Sequence, residues 1–254
     1  MPTRSQRKLW RSLRRRKGRE RHGLCLAEGP RVVAELLDAG TPVVRLLHTR
    51  SAERAPEIAR LLARAAEAGI PVAELGGAAF RELSDTVHSQ GILAVATVPG
   101  WGWPDLSVPR ILVLDGVGDP GNVGTLVRTA EACGLGGVVC LPGTADPWSG
   151  KVIRAAAGST FRLPVFGAGA AETVERLGAR GIALWAASPG APPAPRGEPA
   201  PERLALVLGN ETRGVSKELL GRASRQVSLP MAGAVESLNV AVAGGILMDR
   251  LLGG

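Results

Sequence analysis

The sequence has 254 residues and a formal charge of +8, with 45 % hydrophobic and 21 % charged side chains. These are the proportions of a folded protein of one large domain or two ordinary ones, and they exclude a disordered or fibrous chain. Five Trp, three Phe and no Tyr argue against a protein that holds single strands chiefly by stacking bases on aromatic rings.

The charge is local. Residues 4 to 21 contain ten basic side chains and one acid, Glu20, so the rest of the chain is close to neutral. Such a block is the electrostatic footprint of a polyphosphate partner. The candidate RNA-binding residues are Arg4, Arg7, Lys8, Arg11, Arg14, Arg15, Arg16, Lys17, Arg19 and Arg21, with Arg31 just beyond. A solvated basic helix is the plainer alternative, and Trp10 and Leu13, three apart, could dock one face of it. The segment lacks the apolar centre of a secretory signal.

Strand and helix patterns alternate next. Leu24–Glu28 reads as a strand, and Gly29-Pro30 opens a helix with Val33, Leu36 and Leu37 on one face. Val43–His48 is a strand, Ala55–Ala68 a helix, Pro71–Leu75 a strand, Ala78–Leu83 a short helix and Gly91–Val98 a strand. This predicts a small α/β domain over residues 1–98. Residues 99–108, rich in Gly, Pro and Trp, read as a linker.

A second α/β domain is expected over residues 109–254. Its predicted strands are Ile111–Asp115, Gly137–Leu141, Ile182–Ala187, Leu204–Gly209 and Gln226–Leu229. Its predicted helices are Asn122–Cys133, Lys151–Ala157, one containing Thr173–Leu177, Val215–Leu220 and Leu238–Leu252. The Pro-rich stretch 189–201 reads as an exposed loop. The last helix is apolar nearly all round and must be buried on more than one side, to which a subunit interface can contribute. No stretch of about eighteen apolar residues offers a membrane span. Cys25, Cys133 and Cys140 make neither a disulfide framework nor a zinc set, and the three His are scattered. No metal is expected.

Gly116, Gly118 and Gly121 spell G-x-G-x-x-G between a strand and a helix, the text of a dinucleotide fingerprint. Asp119 would put a carboxylate, and Pro120 a missing N–H, where a pyrophosphate needs donors. The next strand runs into Pro142 without an acid. A nicotinamide or flavin site is disfavoured.

Three segments carry polar residues at turns. Leu114–Gly134 holds Asn122 at the turn and Arg128 off the buried helix stripe of Val123, Leu126, Val127 and Ala130. Leu204–Val215 runs from an apolar strand into Gly209, Asn210 and Glu211, where α/β sheets place ligands. Val227–Asn239 ends with Ser237, Leu238 and Asn239 at the start of the apolar helix. Taken singly, Asn122 and Ser237 read as caps and Arg128 as a solvated side chain.

Together these segments resemble the SpoU/TrmH family of RNA 2′-O-ribose methyltransferases, within the SPOUT superfamily, from Arg110 onward and including Lys151–Pro164. The N-terminal part, through Leu26–Arg31, Leu83–Thr86 and Gln90–Val95, resembles the family's ribosomal-protein-like substrate-binding domain. The resemblance implies a mostly parallel sheet with a deep trefoil knot, a rare exception to unknotted topology. It further implies a homodimer and S-adenosylmethionine as cofactor. The cofactor contacts fall on Gly209, Asn210, Leu229, Met231, Leu238 and Asn239. The resemblance makes Arg128 the catalytic arginine, supported by Asn122, Glu211, Ser237 and Asn239. A guanidinium holds its proton beyond pH 12 or so, so binding the RNA phosphate and steadying the developing alkoxide is a better role for it than general base. The expected substrate is ribosomal RNA of the large subunit, in the cytoplasm. A tRNA substrate, or a non-catalytic ribosome-assembly factor of the same fold, stays open.

Overall fold

A computed structural model describes residues 2–195, 200–231 and 237–252. Residues 196–199 of the Pro-rich stretch and 232–236 of the third segment lie outside the described residues. The chain forms two compact units. One comprises the described residues up to Gly100 together with Trp148–Arg162, and the other Trp101–Pro147 with the described residues from Leu163 on.

The first unit opens on two helices where the sequence shows one basic block: α1 (Arg4–Ser12) and α2 (Arg16–His22). Thr3 and Gln6 cap α1 reciprocally, and Gly23, with φ of 61°, ends α2 in the left-handed conformation. The remaining elements are β1 (Leu24–Glu28), α3 (Pro30–Asp38), β2 (Val43–His48), α4 (Pro56–Glu67), β3 (Val72–Glu74), α5 (Gly77–Arg81) and β4 (Ile92–Thr97). The sheet order is β1-β4-β2-β3, with β4 antiparallel to both neighbours and β3 parallel to β2. Trp10 and Leu13, 4 % and 1 % exposed, pack with Leu26, Leu47, Phe80 and Leu93. That burial holds a strongly charged hairpin against the domain.

Glu28 closes β1 from inside. Its carboxylate accepts from Ser84 Oγ at 2.6 Å, Thr86 Oγ1 at 2.8 Å and the Asp85 N–H at 3.0 Å. Arg154, on the helix α7 (Gly150–Ala155) of the same unit, stands 4.0 Å away. Burial pushes the Glu28 carboxyl up, yet the donors around it prevail and hold it below the ordinary carboxylate range.

The second unit is a six-stranded, wholly parallel sheet in the order β10-β8-β9-β5-β6-β7. Its strands are β5 (Arg110–Asp115), β6 (Gly137–Cys140), β7 (Val165–Gly167), β8 (Ala183–Ala187), β9 (Leu204–Gly209) and β10 (Arg225–Val227). Its helices are α6 (Pro120–Ala132), α8 (Ala170–Ala179), α9 (Lys217–Arg222) and α10 (Val240–Leu251). The central strands β5 and β9 read Ile-Leu-Val-Leu and Leu-Ala-Leu-Val-Leu, the continuous apolar runs of strands covered on both faces. Only β7 is missing from the sequence reading, because three residues ending in Gly carry no periodicity.

On one face α10 packs against α6 and β9. Gly244 makes that approach possible: a Cβ there would lie 2.5 Å from both Leu126 Cδ2 and Leu208 Cδ1. Because every strand is parallel, the carboxyl ends of β5, β9 and β10 open at one edge, with Asp115 in register with Gly209. Among the described residues, no helix is long and apolar enough to cross a membrane.

Candidate active site

At that edge the chain leaves β5 through Gly116, whose φ is 74°. It enters α6 at Pro120, two residues before the helix start read from the pattern. Asp119 is the cause, its carboxylate accepting the Asn122 N–H at 2.8 Å with Pro120 preset at the first helical position. The dinucleotide-like text is therefore a capped turn, and its other donors are also taken. Glu211 accepts from the N–H groups of Gly118, at 3.2 Å, and Asp119, at 3.4 Å.

Glu211 is the hub of the site. Besides those N–H groups it accepts Asn122 Nδ2 at 3.0 Å. Asn122 Oδ1 in turn accepts Asn239 Nδ2 at 3.0 Å. Partial burial pushes the Glu211 carboxyl up, but the Asn122 amide and the backbone donors prevail and hold it below the ordinary range. A carboxylate so engaged is a fixed anion that organises a loop.

Asn239 is the cap of α10, its Oδ1 accepting the N–H groups of Ala241 and Val242 at 2.9 and 3.3 Å. Asn210 is a turn-former. Its Nδ2 donates to Gly116 O at 2.8 Å, and its Oδ1 accepts from Thr212 and Arg213 N–H groups at 3.0 and 3.1 Å. Gly209 has a steric reason to be glycine, since a Cβ would meet the Gly214–Val215 backbone at 2.1 Å. Leu229 and Met231, partly buried, follow β10, while Ser237 and Leu238 stand exposed before α10.

The structure thus joins Asn122, Glu211 and Asn239 in one hydrogen-bonded chain and leaves Arg128 outside it. Arg128 is exposed on α6, six residues from Asn122 and so about 120° away around the helix. Asp119, which sequence reasoning used only to reject a cofactor, caps α6 and gives its N–H to Glu211 beside these residues. An Asp before Pro at a helix start was the signal available.

The basic candidates divide. Arg4, Arg7, Lys8 and Arg11 lie exposed on α1, Arg14 and Arg15 in the turn, Lys17 and Arg21 on α2, and Arg31 on α3. Arg16 pairs with Glu20 at 2.7 Å. Arg19 is 6 % exposed and donates to Leu13 O at 2.8 Å.

A parallel sheet with a polar site at its strand ends, preceded by a small α/β domain under a basic hairpin, defines the class. The chain belongs to the SpoU rRNA methylase family, whose model matches residues 109–249. Residues 5–94 match the MRM3-like substrate binding domain. The chain is 36 % identical over 249 residues to the 23S rRNA (guanosine(2553)-2′-O)-methyltransferase RlmP of Bacillus subtilis, covering 97 % of this chain and 95 % of that one. A TrmH-family structure from Porphyromonas gingivalis superposes with a TM-score of 0.82 at 32 % identity, covering 98 % of each chain. The AdoMet-bound rRNA methyltransferase of Sinorhizobium meliloti superposes with a TM-score of 0.84 at 26 % identity, over 98 % of this chain and 95 % of that one.

Proposed function

We propose that this protein is a cytoplasmic 2′-O-ribose methyltransferase that uses S-adenosylmethionine and acts on large-subunit ribosomal RNA. The observation that carries the reading is the Glu211–Asn122–Asn239 chain, which unites the three segments at the carboxyl edge of the sheet. The Bacillus relative's named activity supports ribosomal RNA as the target, and the AdoMet-bound relative supports the cofactor.

The site fits that cofactor. Gly209 ends β9 and Leu229 follows β10 at the same edge of a parallel sheet. Gly209, Asn210, Leu229, Met231, Leu238 and Asn239 would hold it, largely through backbone groups. When bound, S-adenosylmethionine supplies an electrophilic methyl group for the ribose 2′-oxygen.

The protein's part is to place that oxygen and offset its developing charge. Arg128, exposed and free to swing, binds the neighbouring RNA phosphate and steadies the alkoxide as its proton leaves to solvent. Glu211 holds the Gly118–Asp119 turn and the Asn122 amide. Asn122 and Asn239 position ribose and cofactor, and Ser237 adds a hydroxyl at the entrance. Leu238 and Val242, 39 % and 52 % exposed, belong to the surface by which two copies form the active dimer.

The test is transfer of labelled methyl from S-adenosylmethionine to unmodified ribosomal RNA and, separately, to tRNA transcripts, with Arg128→Ala beside each. The product is mapped by resistance of the modified linkage to alkali. Label confined to ribosomal RNA and lost in the variant is the expected result. Label in tRNA alone overturns the substrate, and label in neither, on naked RNA or ribosomal particles, overturns the enzyme.

A further inference from the structure

The turn from Gly116 to Asp119 is gripped from both sides of β5, which lies between β9 and β6 in the sheet. From the β9 side, Asn210 Nδ2 donates to Gly116 O at 2.8 Å. From the β6 side, Thr144 Oγ1 accepts the Gly116 N–H at 3.1 Å and donates to Leu114 O at 2.8 Å. The Ala145 N–H adds a bond to Val117 O at 2.9 Å. With Glu211 on the N–H groups of Gly118 and Asp119, every residue of the turn has a backbone group held.

Thr144 is the member of this set that lies outside the three polar segments. It is 8 % exposed, and both of its hydrogen bonds go to backbone groups of β5 and the turn. Pairing of β5 with β6 stops at Leu114 and Cys140. Beyond that point the hydroxyl supplies the acceptor for the Gly116 N–H, and its donation to Leu114 O leaves a lone pair facing that N–H. The turn ends in Pro120, the first residue of α6, which carries Asn122 and Arg128. A shift of the turn is therefore passed directly to both.

We propose that Thr144 is a positioning residue for methyl transfer, holding the Gly116–Asp119 turn so that Asn122 and Glu211 keep the spacing the reaction needs; the inference rests on the RNA-methyltransferase reading above. Its hydroxyl is fully engaged by backbone groups, so it acts through the turn and not on ribose or cofactor.

A buried hydroxyl also supports stability, and Thr173 supplies the comparison. Thr173 is fully buried on α8, beyond the edge strand β7, and its Oγ1 donates to Gly169 O at 2.8 Å. Thr144→Val, Thr144→Ser and Thr173→Val are compared with the parent at a temperature where circular dichroism shows each folded. Thr144→Ala carries the same expectation as Thr144→Val, should the latter not fold. Single-turnover transfer to a large-subunit ribosomal RNA transcript is measured with saturating S-adenosylmethionine and RNA. Calorimetry gives cofactor affinity, and deuterium exchange of the unliganded protein follows peptides containing Gly116 to Asn122.

Thr144→Val is expected to lower the transfer rate by about 10²-fold, the order that a misplacement of about 1 Å costs. Its cofactor affinity should change by less than about threefold, so that the loss falls on the reacting complex. The Gly116–Asn122 peptides should exchange faster, since the Gly116 N–H has lost its acceptor. Thr144→Ser keeps the hydroxyl and should restore both slow exchange and a rate within about threefold of the parent, as should Thr173→Val for the rate. Transfer by Thr144→Val at the parent's rate overturns the proposal. So do a serine variant as slow as the valine variant, a Thr173→Val loss of equal size, and unchanged exchange. Faster exchange in the hydroxyl-less variants of a parent that methylates neither naked RNA nor ribosomal particles defeats the enzymatic reading and leaves the grip on the turn standing. An active parent matched by Thr144→Val defeats this inference alone.

Discussion

Asn239 donates its side-chain N–H to Asn122 Oδ1 at 3.0 Å, joining residues 117 positions apart in the chain. Each asparagine also serves the start of its own helix: Asn239 caps α10, and the Asn122 N–H is capped by Asp119. The pair therefore locks two helix starts together, and Asn122 passes the connection on to Glu211. A site so connected responds as a unit to the loss of one member.

Glu211→Gln tests that connection. The carboxylate faces four donors, the Gly118 and Asp119 N–H groups, Asn122 Nδ2 and, at 3.5 Å, Asn210 Nδ2. A Gln amide would turn an N–H toward at least one of them. Methyl transfer should fall by about 10²-fold, the size seen when a positioned polar group in an active site is lost. Single-turnover rates with saturating RNA would measure it. A rate within twofold of the parent would contradict the role given to Glu211.

Arg128 stands apart from this chain, so its removal should spare it. Arg128→Ala is expected to lower transfer by about 10²–10³-fold. Calorimetry should find S-adenosylmethionine affinity changed by less than about threefold. Arg128→Lys keeps a charge but loses the planar fork and should recover only part of the rate.

Glu28 links stability to pH. Its folded-state pKa lies below the ordinary carboxylate value of 4.5. Its stabilisation is therefore fully present above about pH 4.5 and is lost as pH falls through the lower folded value. Glu28→Gln should cost about 2 kcal/mol at pH 7, because donors to a buried charge lose that charge. The difference in denaturation midpoint between parent and variant should shrink steadily below pH 4. A constant difference across that range would rule out the linkage.

Two neighbouring glycines in α10 should respond oppositely to alanine. At Gly244 the new Cβ meets Leu126 and Leu208 at 2.5 Å, both buried, so overpacking should cost about 1–3 kcal/mol. At Gly245 it meets only Thr129 Cγ2 at 3.8 Å, and the gain in helix propensity should add about 0.5–1 kcal/mol. Thermal melts of the two variants make the comparison.

Much of this architecture was legible in one dimension, because strands and helices here carry strong local patterns. Leu204–Gly209 is a strand in both the reading and the structure, since an unbroken apolar run between polar turns admits little else. The three polar segments could be singled out as well, because Asn, Glu and Ser after apolar strands stand out against their surroundings. Less legible was what each polar residue does. Asn210 and Asn239 serve backbone N–H groups, roles that depend on local dihedral angles.

The sequence by itself determined the alternating elements, the apolar strands at the centre of the parallel sheet and the concentration of charge near one end, because hydrophobic periodicity and charge are local properties. Only the tertiary structure decided that Glu211, Asn122 and Asn239 form one chain, that Arg128 stands outside it, and that Trp148–Arg162 packs with the first unit. It likewise divided one basic block into exposed cations, the Arg16–Glu20 pair and the buried Arg19. Those outcomes depend on contacts between residues far apart in the chain and on which face of a helix is buried. A pattern of residue types leaves both undetermined until the elements are packed.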